Sequence, residues 1–207
     1  VTSDHGIVNL SWDKSSELSL DPFAGYADFE GYRVYRSTDG GNTWGDPDNM
    51  IFDYNGTFVG WEPLAQFDLT EEQDSLRCLY SDQYTGCVEI RGVSISGFDP
   101  LAQRVNLGSN NGLSHSFTDS NVVDGIEYTY VITAYDIGLR TYKTEYHDDD
   151  GDGIFYDSKI WSNSNPLHFV SWDSLTHEEI GLPSLESPFG TSSSDPNFVQ
   201  VIPGYYS

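Results

Sequence analysis

The sequence predicts an all-β fold, on three observations. The first is composition: 14 Tyr, 11 Phe and 5 Trp stand beside 20 Gly and a single Met in 207 residues. That mix suits turn-rich sheets better than helix packing. The second is a set of segments in which apolar and polar residues alternate with period two, which puts every second side chain on one face of a strand. The third is the near absence of helical periodicity. A chain of this length can bury a sizeable core as one large domain or two small ones.

The elements follow in order. Ile7 to Trp12 alternates, with Val8, Leu10 and Trp12 on one face. Gly31 to Ser37 is a second strand, ended by Asp39-Gly40-Gly41. The segment Thr70-Glu71-Glu72-Gln73-Asp74-Ser75-Leu76 is the one helical candidate, where Thr70 and Gln73 fit a capping box. Cys78 and Cys87 are flanked by strand-like residues and are expected to close a hairpin disulfide; a zinc site would need further ligands that the neighbourhood lacks. A third strand, Glu127 to Asp136, sets Tyr128, Tyr130, Ile132 and Ala134 inward and Thr129, Val131, Thr133 and Tyr135 outward. Val131 implies that the outward face is itself partly covered. Phe198 to Ile202 is strand-like and suited to the edge of its own sheet or a neighbour's, the first being simpler.

The strings "VNLSWD", "FEGYRVYRSTDGG" and "DSNVVDGIEYTYVITAYD" together resemble a fibronectin type III module. The resemblance implies a fibronectin type III/immunoglobulin-like β-sandwich, with Trp12 in the core and Tyr128, after Gly125, as the tyrosine corner of the sixth strand. Residues 1–170 are expected to form the sandwich, with a long insertion at 45–115 that carries the Cys pair and two or three extra strands. An acidic region at 137–160 falls between the sixth and seventh strands, and a Ser- and Pro-rich extension at 171–207 packs on the domain or on a neighbour. "SDPNFVQVIPGY" resembles segments that follow such modules in large bacterial surface proteins.

The stretch Asp148-Asp149-Asp150-Gly151-Asp152-Gly153-Ile154 reads as the opening half of a calcium loop. Alternating residues of a tightly wound loop point oxygens inward, a Gly makes the sharp turn, and the residue after it offers its carbonyl. The expected ligands of Ca2+ are Asp148, Asp150, Asp152 and the Ile154 carbonyl, with Asp157 closing the shell. Lys159 stands where an EF-hand has its bidentate Glu, so the loop resembles calcium loops on other scaffolds. The alternative is a solvated acidic turn, which has to hold five aspartates between 148 and 157 against their mutual repulsion.

Ser37-Thr38-Asp39-Gly40-Gly41-Asn42-Thr43-Trp44 matches the Asp-box pattern and resembles the hairpin turns of sialidase-type propellers. One copy does not make a propeller, so the expected role is structural, with Asp39 bonding the turn and Trp44 packing beneath it. No Gly-x-Ser-x-Gly elbow, phosphate loop or paired metal-binding His is present, and carboxylates are too abundant for any one pair to mark a glycosidase.

Thirty-three acidic against nine basic residues give a formal charge of −24, which repels nucleic acid and anionic membrane and attracts divalent cations. No stretch approaches a membrane-spanning length. The chain opens at Val1 without a basic-then-apolar leader, as a processed mature protein or an excised segment would. The expectation is a non-catalytic, calcium-stabilised structural or adhesive module, secreted or at a bacterial cell surface, with a protein, a polysaccharide or its own copies as partner. Two alternatives are a carbohydrate-binding accessory module of a secreted enzyme, using Trp44, Trp61, Trp161 or Trp172, and a self-assembling filament subunit. A hydrolase fragment is a third, requiring a cleft of convergent carboxylates. The acidic, aromatic stretch Asp21 to Glu30 reads as a packed loop cover, with a second cation or a partner as the alternative.

Overall fold

The computed structural model describes residues 1–21, 27–99, 102–138, 142–147, 151, 156–161, 170–172, 179–181 and 183–204; segments 142–147, 156–161, 170–172 and 179–181 are described through their backbone. Strands β1 (Thr2–Asp4), β2 (Ile7–Ser11) and β3 (Phe29–Ser37) open the chain. The insertion holds β4 (Met50–Phe52), β5 (Phe58–Trp61), β6 (Ala65–Asp68), helix α1 (Glu71–Ser75), β7 (Cys78–Asp82), β8 (Gly86–Ile90), β9 (Gly97–Phe98) and β10 (Asn106–Gly108). After these come β11 (Ser116–Asp119), β12 (Tyr128–Asp136), β13 (Tyr142–His147), β14 (Tyr156–Trp161), β15 (Val170–Trp172), β16 (Glu179–Gly181) and β17 (Phe198–Val201). The chain is all-β, and among the described residues the insertion carries seven strand segments, β6 of them joining the main sheet, where two or three extra strands were expected.

Two antiparallel sheets organise it: one of order β1-β2-β11, the other of order β17-β12-β3-β6. Between them lies a core of Val8 and Leu10 from β2, Val34 from β3, and Tyr128 and Tyr130 from β12, joined by Val122 and flanked by Phe67, Phe117 and Ile132. The period-two pattern produces this directly, because each strand turns its alternate apolar residues toward the opposite sheet. Each such side chain contributes roughly 1.5–3 kcal/mol of burial.

The opposite face of the four-stranded sheet departs from the sequence expectation. Thr129, Val131, Thr133 and Tyr135 are all buried, as deeply as the face toward the sandwich core. Tyr35, Trp44 and Phe198 cover Val131, with Phe189 packed alongside, while Ile95, Leu107 and Ile137 cover Tyr135. The central sheet is thus a middle layer. β3 consequently buries eight of its nine residues, Arg33 included. That arginine lies 3.9 Å over the Tyr135 ring and donates to Glu186 at 2.5 Å and to the Asn106 carbonyl at 2.6 Å, so its charge is paired where it is buried.

The far edge of β12 is closed in two instalments. β17 pairs with it over Tyr128–Val131, and earlier in the chain the Ser187 N–H donates to the Ala134 carbonyl while the Asp136 N–H donates to that of Leu185. The C-terminal segment therefore edges its own sheet. Helix α1 forms where the capping box predicts it: Thr70 Oγ1 accepts from the Gln73 N–H, and Gln73 Oε1 accepts from the Thr70 N–H. Cys78 and Cys87 are disulfide-bonded across the β7–β8 hairpin, a short loop closure that removes about 2–3 kcal/mol of unfolded-state freedom in the chain-entropy view.

A fully buried ion network joins the insertion to the middle layer. Arg91, just after β8, donates to Glu30 of β3 at 2.5 Å and to the Phe29 carbonyl at 3.1 Å, and it also contacts the Asp74 carboxylate of α1. Asp74 in turn accepts from the Ile95 N–H. Burial pushes the Glu30 carboxyl up, and the Arg91 guanidinium draws it back. Removing the shared cation leaves two carboxylates in the interior, so Arg91→Met is expected to cost about 3–5 kcal/mol in urea unfolding. Adding Glu30→Gln and Asp74→Asn to that variant should recover a measurable part of the loss. A cost below 1 kcal/mol for the single change would show that the network does not hold the insertion.

Candidate metal centre

The acidic loop belongs to a two-stranded hairpin. β13 and β14 pair in register from Tyr142 opposite Trp161 to His147 opposite Tyr156, and the acidic stretch connects them. Asp148, Asp150, Asp152 and Ile154 lie outside the described residues. Asp157 falls in β14 opposite Tyr146, described through its backbone. Gly151, between the expected ligands, has φ +74°, the left-handed conformation that glycine adopts without strain.

The turn after β3 is tied together by one carboxylate. Asp39 Oδ1 accepts from the Asn42 N–H at 3.0 Å, the Thr43 N–H at 2.9 Å and the Ser37 hydroxyl at 2.7 Å; Oδ2 accepts from the Thr43 hydroxyl at 2.9 Å. These donors, the Thr43 N–H first, pull its pKa down to about 2. Trp44, 7% exposed, then packs edge-on to Phe189 and Phe198. Trp12 is half-buried between Tyr32 and Phe67, at the margin of the sandwich core. Tyr128 is buried, and its hydroxyl accepts from the Val123 N–H at 3.0 Å.

A second acidic cluster is assembled by the fold. Asp21 precedes β3, Asp28 stands immediately before it, and Asp136 ends β12; one carboxylate oxygen from each lies within 4.8 Å of the other two. What brings them together is the β3–β12 pairing and its irregular end. Tyr135 faces Gly31 and Asp136 faces Phe29, so Glu30 is an extra residue on β3. Such a bulge re-aims the side chains beside it. The Asp136 side chain is held by the Gly138 and Leu185 N–H groups at 2.8 and 2.7 Å, both on Oδ1. Asp28 is 5% exposed, and its Oδ2 has no hydrogen-bond partner among the described residues. Burial, with Asp136 and Asp21 adding to it, pushes the Asp28 carboxyl up to about 8; burial likewise raises Asp136 to about 6, against its two N–H donors. Sequence spacing could not disclose this cluster, because Asp136 reaches the other two only through strand pairing. Its one sequence signal is the acid-rich run from Asp21 to Glu30.

A third feature is an open groove of about 1310 Å3 on the covered side of the central sheet, with Phe52, Trp61 and Phe98 among its apolar walls and Arg33, Gln66 and Arg104 among its polar ones. Phe52 and Trp61 each meet the neighbouring Phe58 ring edge to face, at 72° and 66°, and do not form a coplanar row with it. Comparison of the chain with protein-family models, curated proteins and solved structures finds no match among any of them.

The depressed pKa of Asp39 sets a pH window. Its bonds to the turn stabilise the fold fully above pH ~4, the ordinary carboxylate range, and are lost as pH falls through about 2. Asp39→Ala should therefore melt below the wild type at pH 6, with the gap narrowing between pH 4 and pH 2. A gap unchanged across that range in thermal unfolding would mean that the carboxylate's charge plays no part.

Proposed function

We propose that the chain is a non-catalytic structural or adhesive module of the fibronectin type III kind, an extracellular building block that binds calcium through the acidic loop of the β13–β14 hairpin. The observation that carries this reading is the division of seven strands between two facing sheets, β1, β2 and β11 against β3, β6, β12 and β17. In chain order β12 is the sixth of them, and Tyr128 at its start reaches back to the Val123 N–H. Both features belong to the sandwich architecture that the sequence motifs resemble.

The extracellular assignment is supported by the Cys78–Cys87 disulfide, a bond that persists in oxidising compartments, and by the charge of −24. No helix among the described residues is long and apolar enough to cross a membrane. The middle-layer sheet supports a structural role, because a strand pair covered on both faces resists local opening. Calcium is the cation suited to the loop: its carboxylate and carbonyl oxygens are hard ligands, and binding only to the folded chain stabilises it.

Thermal unfolding in calcium and in chelator tests this reading. The wild type is expected to melt several degrees higher in calcium, and Asp150→Ala/Asp152→Ala is expected to show a smaller rise. Equal rises in the two proteins would remove the loop from the reading.

A further inference from the structure

We propose that Asp21, Asp28 and Asp136 form a second cation site, of the calcium type, that fastens the connection between β2 and β3 to the end of β12. The site is separate from the hairpin loop and does not depend on it. Two independent observations meet there. The first is convergence: two oxygens bound to one Ca2+ at about 2.3–2.6 Å stand at most ~5 Å apart, and the three carboxylate oxygens lie within 4.8 Å of one another. One ion can be shared without moving the backbone.

The second observation is the buried, unpartnered oxygen. Asp28 is 5% exposed, and its Oδ2 accepts no hydrogen bond from any described residue. A carboxylate so placed is normally paired or metal-bound. No ion pair among the described residues involves Asp28 or Asp136; Arg91 bonds the Asp28 carbonyl at 3.4 Å, and Arg91 and Arg77 attract the Asp28 carboxylate only at longer range. Arg91 is itself committed to Glu30 and Asp74. Asp99 stands beside Asp136 and adds further negative potential.

Asp136 is pre-oriented in the way ligand carboxylates are. Its Oδ1 takes two backbone N–H bonds, which fix the plane of the group. An all-oxygen set of carboxylates selects a hard ion over zinc or copper. Because Asp136 is brought to the other two by strand pairing, the site exists only in the folded chain, and occupancy stabilises that state.

The test uses the full chain carrying Asp150→Ala/Asp152→Ala, which silences the hairpin loop, titrated with calcium chloride by calorimetry and melted in calcium and in chelator. The expected result is retained calcium heat and a rise in Tm of roughly 5–10 °C at a hundredfold excess over the Kd. Adding Asp28→Asn should abolish both while leaving the melt in chelator unchanged or higher, since the amide keeps the shape of the carboxyl and bears no charge in the interior. Asp21→Asn in the same background should also lose the calcium response. The proposal is overturned if the loop-silenced chain has no calcium response, or if Asp28→Asn or Asp21→Asn keeps it. A wild type that responds while the loop-silenced chain does not would leave the hairpin loop as the calcium site and remove this one.

Discussion

The pairing of β3 with β12 is the constraint on which the rest of the molecule depends. These two strands supply Val34, Tyr128 and Tyr130 to the core between the sheets, and Tyr35, Val131 and Tyr135 to the two clusters on the other side. One ladder thus serves two interiors, and its register decides both. A slip by one residue would exchange the two faces and bring Arg33 and Arg36 into the wrong layer. The irregular end of the same ladder sets Glu30 against Arg91 and gathers Asp28 with Asp136.

A middle layer must also accommodate polar residues with no access to water. Several of these groups are paired across long sequence distances. Arg36 meets Asp119, which also accepts from the Tyr130 hydroxyl at 2.8 Å, linking the two sheets through one carboxylate. Glu186 receives Arg33 on one oxygen and the Thr133 hydroxyl on the other. Replacing such sets with apolar side chains can be neutral or better for stability. Their directionality limits the ways the insertion and the C-terminal segment can dock, which is where the sequence patterning is weakest. Asp28 is not paired in this way, and the carboxylates gathered beside it are themselves acidic.

Much of the scaffold was legible because it is local. Alternation marked β2, β3 and β12, and Thr70 with Gln73 marked the only α-helix among the described residues, since a capping box is a contact over three residues. The disulfide was legible from its spacing and flanks. The depth of burial on the outward face of β12 was not. Val131 hinted at a partial cover, but the segments that bring Trp44, Phe189 and Phe198 onto it are distant in the chain, and Thr129 and Thr133 carry no apolar signal of their own burial. The acidic triad was hidden for the same reason. A loop ligand set repeats at short intervals, whereas this one spans the connection before β3 and the end of β12.

The two-instalment edge of β12 bears on how the molecule comes into being. β17 lies far beyond β12 in the chain, so during synthesis the Tyr128–Val131 part of that margin waits unpaired until residues 198–201 emerge. An open strand margin is a template for joining other chains. The nascent protein meets that interval with a charge of −24 over its whole length, a repulsion that keeps one unfinished copy away from the next. The acidity that marks the finished surface thus also guards the chain while it is still incomplete.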